Sequence, residues 1–184
     1  MFDVDQFVAD LRAARAEDDH RLAIKEVVER AVHNPVQVAD ALPATRAEIV
    51  PIHTSPDLSV MKVVWAPGMS FRPHNHLMWA VIGLYGGQED NTFYRRPAPG
   101  QPAIVPSGGR ELRVTDVALL GDDTIHAVTN PCAVFTGAIH VYGGDLTRRP
   151  GRSEWDEATM EEVCYDFERT RKHFEDANAV LPEA

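Results

Sequence analysis

From about residue 46 to residue 144 the chain is a series of short β-branched runs separated by Pro and Gly, and this spacing restricts the fold more than any other feature. The runs are AEIVPIH, LSVMKVVWAPG, LMWAVIGLYGG, NTFYRR, ELRVTDVALL, HAVTNP and CAVFTGAIHVYGG. Short strands at such regular intervals close into a sandwich or barrel; a βαβ sheet needs helical crossovers between them. Within this region QPAIVPSGG reads as a Pro/Gly-rich loop.

The flanks have a different period. Phe2, Phe7, Val8 and Leu11 recur at helical spacing, and Leu22, Ile24, Val27, Val28 and Ala31 form a second stripe. Asn34-Pro35 ends or interrupts that second helix, because a residue before proline avoids the α region. After Gly151 a helical face returns in Met160, Val163, Phe167 and Phe174. The expected organisation is one domain over residues 1–184: a helical segment at 1–45, an all-β barrel at 46–150 and a C-terminal helix at 151–184, with the helices packed outside.

Composition narrows the partners. With 184 residues, 44% of them hydrophobic, the chain can bury an ordinary core. A net charge of −10 argues against a nucleic-acid role, which needs a basic footprint. No apolar run approaches the roughly 20 residues that span a bilayer. The N-terminus lacks the apolar core and cleavage site of a signal peptide. Cys132 and Cys164 form neither a metal-type cluster nor a disulfide framework. A cytoplasmic protein acting on a small molecule is expected, and edge strands with terminal helices can support a homodimer.

The chemistry gathers on histidine. His74 and His76 lie two residues apart, so on a strand both side chains point to one face. Alone this says little, since eight histidines give an H-x-H by chance roughly once in three such chains. Fifty residues later, in GDDTIHAVTNP, His126 enters a further strand directly after a turn. A late strand of a barrel can bring its inward histidine beside an early H-x-H. Three imidazoles with open coordination positions suit a catalytic first-row metal.

These two segments resemble the two motifs of the cupin superfamily. Gly68, His74, His76 and Gly87 fit the first, with Ala80 in the slot of its glutamate; His126 and Asn130 fit the second, with Gly121 and Asp123 replacing its proline and glycine. A three-histidine site without the glutamate is the pattern of the thiol dioxygenase (cysteine dioxygenase-like) branch. WAPGMSFRPHNH, with Trp65 ahead of His74, and WAVIGLYGG also look like that branch. AIHVY resembles its S-x-H-x-Y relay segment, with Ala138 in place of the serine. The resemblance covers roughly residues 58–144.

The resemblance implies a cupin double-stranded β-helix, or jelly roll, that holds Fe(II) at His74, His76 and His126 and adds O2 to a small thiol to give a sulfinate. It assigns His140 and Tyr142 to catalysis outside the metal, although His140 also reads as a satisfied core histidine. Arg72 and Arg95 are candidates for an anionic group of the substrate, as is Arg96, and Trp79 is a candidate pocket wall. Tyr85 has the same two readings as Trp79, pocket or core. Cysteine itself fits poorly, because Glu48 occupies the position that the branch gives to a carboxylate-binding arginine, with Arg46 two residues earlier. Val81 stands where some members have a crosslinking cysteine. Two other readings stay open: a cupin with Zn, Ni or Mn and isomerase, hydrolase or non-thiol dioxygenase chemistry, and a non-catalytic ligand-binding cupin.

Overall fold

The computed structural model describes residues 1–98 and 100–180. Three helices come first: α1 (Val4–Arg15), α2 (His20–Val32) and α3 (Pro35–Ala41). Asp3 caps α1 by accepting from the Gln6 N–H, and Pro35 opens α3 as its first residue, where a missing N–H costs nothing. The predicted break at Asn34-Pro35 is therefore the joint between α2 and α3.

Nine strands follow: β1 (Glu48–Thr54), β2 (Ser59–Trp65), β3 (Ser70–Asn75), β4 (Ala80–Gly86), β5 (Gln88–Arg95), β6 (Val105–Arg113), β7 (Val117–Leu120), β8 (Ile125–Thr129) and β9 (Thr136–Tyr142). The chain then adds β10 (Ser153–Trp155), β11 (Glu162–Cys164) and α4 (Phe167–Ala179). The strands form two antiparallel sheets, in the orders β1-β2-β9-β4-β7 and β11-β10-β3-β8-β5-β6. Two facing sheets interleaved in this way make the double-stranded β-helix of cupins, with helices outside it.

Strand alternation sorts the side chains. On β4, Ala80, Ile82 and Leu84 join the core between the sheets, while Val81 and Tyr85 turn to the helices, as does Trp79 just before the strand. Gly83 lies on that helix-facing side. A Cβ there would stand 2.4 Å from a Val28 methyl carbon, so α2 rests directly on the strand. The motif glycines Gly68 and Gly87 both take left-handed backbone, with φ of 69° and 70°, in the turns beside β3 and β5.

Two expectations are corrected. Of the segment read as a loop, residues 105–109 open a strand, Val105–Arg113, despite Pro106 and two glycines; its end falls in the expected ELRVTDVALL run. It lies at the edge of its sheet, where a residue without an N–H costs no ladder bond. The C-terminal helix is also shorter than 151–184. It occupies Phe167–Ala179, and residues 153–164 supply β10 and β11 instead. Pairing with β3 and burial of Trp155 override a helical period resting on only a few apolar residues. The part of that expectation beyond residue 180 lies outside the described residues.

Candidate metal centre

Two paired strands, and the residue that follows one of them, bring the three histidines together. His74 on β3 sits directly opposite His126 on β8, and His76 follows the end of β3. Leu77, the next residue, adopts left-handed backbone with φ of 54°, an unfavourable conformation that turns the chain away just past His76. The three imidazoles converge. Each offers a ring nitrogen, and these lie within 4.8 Å of one another in buried positions. The Nε2 atoms of His74 and His76 are 3.2 Å apart.

Hydrogen bonds decide which nitrogens carry lone pairs. His74 Nδ1–H donates to the Arg72 carbonyl at 3.0 Å, and His126 Nδ1–H donates to Asn91 Oδ1 at 2.7 Å. Both rings therefore direct an unprotonated Nε2 into the site, and the buried Nε2 of His126 has no protein partner. Buried polar atoms are rarely left so. Two nitrogens bound to one ion at about 2.0–2.1 Å stand about 3.0–3.4 Å apart; His74 and His76 have that spacing, and the third ring is near enough to join them on a metal. Burial, then the charges of neighbouring His126 and Arg152, pushes the His74 pKa well down. Burial and then His74 do the same to His76, and burial lowers His126 to about 4. All three rings are neutral at pH 7, the form that ligates.

No carboxylate joins this group among the described residues. Ala80, in the glutamate slot, is buried among apolar neighbours. Carboxylate chemistry enters one layer out. Asn91 Nδ2–H donates to Glu89 Oε1 at 3.0 Å, and Trp65 Nε1–H donates to Glu89 Oε2 at 2.8 Å. Burial by itself raises the Glu89 pKa, but His140 close beside it and the donors of Asn91 and Trp65 outweigh it and hold the group below the usual carboxylate range. Glu89 is thus ionised and fully buried. Asn130, the other motif residue, is structural: its amide donates to the carbonyls of Trp65, Ala66 and Val134.

A cavity of about 40 Å³ opens from the three histidines, with room for about three water-sized groups. His140 and Tyr142, inward-facing on β9, line it, and Tyr142 O lies 3.0 Å from His140 Nδ1. Burial raises the Tyr142 pKa, so its hydroxyl stays protonated. Apolar walls come from Ile49, Met61, Val63 and Val128.

The proposed anion partners and the proposed pocket wall lie elsewhere. Arg72 does not line the cavity; it is bound to buried Glu154. Arg95 is exposed at the end of β5, and Arg96 pairs with Glu162. Trp79 belongs to the core under the helices and packs against His20, because it has the phase of the outward residues of β4. Tyr85 shares that core. Glu48 pairs with Lys62 and stays out of the cavity.

The cation that does reach the cavity is Arg152. It is buried, donates to the carbonyls of Asn75 and Leu146, and stacks with its Cζ 3.7 Å from the Tyr165 ring centroid. Among the described residues it forms no ion pair with a carboxylate. Tyr165 and Phe167 complete the wall. Sequence reasoning missed Arg152, since nothing in its spacing marks it. Glu89 and Asn91 were accessible in principle, as polar residues two apart on a strand whose outward neighbours are also polar.

No family model matches the chain. Among solved structures it is similar to a protein from Bacillus halodurans, at 15% identity over 64% of this chain and 83% of that one, with a TM-score of 0.51. It is also similar to an uncharacterized conserved protein with a double-stranded β-helix domain from Klebsiella pneumoniae (13% identity, 65% and 95% covered, TM-score 0.47). An RmlC-like cupin family protein from Methanocaldococcus jannaschii matches at 8% identity (58% and 87% covered, TM-score 0.46). The chain spans about half the length, 54%, of another match, Peruvianin-I from Thevetia peruviana latex. Fold and site together define a cupin-type double-stranded β-helix with a buried three-histidine cluster that can hold a metal ion. No helix among the described residues is long and apolar enough to cross a membrane.

Proposed function

We propose that this protein is a mononuclear non-haem iron oxygenase that adds both atoms of O2 to a small thiol carrying a carboxylate, RSH + O2 → RSO2H. One observation carries the reading: three neutral imidazoles without a carboxylate share a small cavity with an unpaired buried guanidinium and a protonated tyrosine. When bound, Fe(II) supplies the electron transfer between thiolate sulfur and O2. His74, His76 and His126 would hold it through three ring nitrogens and leave positions free for substrate.

The remaining residues have separable tasks. Arg152 offers a planar fork to a carboxylate, which removes the objection that Glu48 raised against acidic thiols. Tyr142 can donate its O–H to an oxygen of the substrate or pass the proton to His140 Nδ1. Ile49, Met61, Val63 and Val128 exclude water. The cavity volume suits a substrate of few atoms.

Protein loaded anaerobically with Fe(II) and then given O2 tests this with 3-mercaptopropionate, cysteine and cysteamine. Equimolar loss of O2 and thiol with formation of sulfinate is expected from an acidic thiol, and none from His126→Ala. Zinc that resists exchange, with no O2 uptake by iron-loaded protein, would overturn the reading in favour of non-oxidative metal chemistry.

A further inference from the structure

Glu89 is a buried carboxylate that faces no lysine or arginine among the described residues. Its two oxygens serve two different parts of the site. Oε1 accepts from Asn91, whose own Oδ1 accepts from His126 Nδ1–H; this fixes the His126 tautomer and aims its Nε2. Oε2 accepts from Trp65 and lies 3.4 Å from His140 Nε2, a buried nitrogen with no hydrogen-bond partner of its own. A carboxylate at that nitrogen keeps the proton on Nε2, so that Nδ1 is left to accept from the Tyr142 hydroxyl 3.0 Å away.

We propose that Glu89 is a positioning residue for both halves of the site, orienting His126 through Asn91 and setting the tautomer of His140 that Tyr142 meets. The inference rests on reading the three histidines as a metal site but not on the substrate or the metal's identity. It also gives a reason for Ala138. Where the resembling branch has a serine beside its relay histidine, this chain has a methyl group, and Glu89 supplies a polar neighbour to His140 from the facing sheet. The arrangement has the logic of a carboxylate that holds an imidazole in one tautomer without itself receiving the proton.

Glu89→Gln keeps the shape but replaces one of the two acceptor oxygens by an NH2, so either Asn91 or the Trp65 and His140 side meets a donor instead of an acceptor. Two measurements without turnover read it: the affinity for Co(II) under anaerobic conditions, and the ¹⁵N shifts of His140 in the metal-free protein. Expected results are about a 10-fold or greater loss of Co(II) affinity, the range seen when support to a metal-bound histidine is removed, and loss of the single Nε2–H signature of His140. Should Glu89→Gln not fold, Asn91→Leu cuts only the His126 arm; it should lose the same affinity and leave His140 unchanged. Wild-type affinity in a folded Glu89→Gln or Asn91→Leu protein overturns the inference, as do unaltered His140 shifts in Glu89→Gln. Wild-type protein that binds no Co(II) would sink the metal site itself, a failure distinct from these.

Discussion

The barrel is extended at both ends of the chain, and the two extensions are attached by different physics. At the N-terminus α2 and α3 lie on the outer face of β4, α2 also reaches β7, and α1 packs on α2, so that Phe7, Leu11, Ile24, Val28 and Val32 share one apolar layer. None of these helices contributes to the cavity wall. At the C-terminus the attachment is largely polar. Glu154, fully buried, binds Arg72 of β3 and Arg169 of α4, and Arg152 and Ser153 bind groups of Asn75. This second extension delivers Arg152, Tyr165 and Phe167 to the cavity. Apolar layers tolerate variation in shape and mainly stabilise. A buried polar attachment holds its groups in one geometry, as a substrate site requires.

Substitutions in the two extensions should separate binding from stability, and the polar one should show the larger effect. Arg152→Met should lower kcat/KM for 3-mercaptopropionate by about 30-fold or more, since truncating one side of a buried charge pair costs about 2–5 kcal/mol. Cysteamine, which has no carboxylate, should be far less affected in the same assay. Leu11→Ala, in the other extension, should cost about 2–5 kcal/mol in urea unfolding. It should leave metal stoichiometry unchanged; loss of metal there would refute the division of labour.

Acid should act on the site and spare the helical layer. The three imidazoles have folded-state pKa values below the ordinary value of 6.5, that of His126 at about 4. As pH falls below about 6.5 the unfolded chain takes up protons that the folded one refuses. Stability of the metal-free protein should therefore be fully present above that pH and fall towards pH 4, by up to about 1.4 kcal/mol per ring for each pH unit. Denaturation midpoints between pH 7 and pH 5 measure this slope. It should persist in Leu11→Ala and shrink in His126→Ala.

The smallest expected effects compare two helix caps of the same chemistry. Asp3 accepts from the Gln6 N–H at the start of α1, and Asp166 accepts from the Glu168 and Arg169 N–H groups at the start of α4. Replacement of either by alanine should cost about 1 kcal/mol. Only Asp166→Ala should also raise KM, because Phe167 and Arg169 hang on that first turn. Equal KM values in the two variants would mean that α4 does not set the cavity wall.

Much of this architecture is legible in the order of the residues. Strand spacing and punctuation point to the barrel, and a two-residue period places His74 and His76 together. Edge tolerance hides β6 behind Pro106 and Gly108, and strand pairing hides β10 and β11 behind a weak helical period. The candidate arginines Arg72, Arg95 and Arg96 all lie within the barrel segment, whereas Arg152, the guanidinium that lines the cavity, arrives from the segment after it. Local pattern does not fix which inward or outward phase Trp79 and Arg72 take either.

The candidate metal ligands follow from local order, because two histidines two residues apart at a strand's end and a third after a turn obey short-range periodicity. So does the lack of a glutamate among them, since Ala80 has no carboxylate to offer. Which charges face the cavity and which are neutralised is settled only by the folded chain. Arg72 meets Glu154 and Glu48 meets Lys62, whereas Arg152 meets carbonyls and the Tyr165 ring. Pairing of that kind depends on contacts between residues up to 82 positions apart, and no local period encodes them.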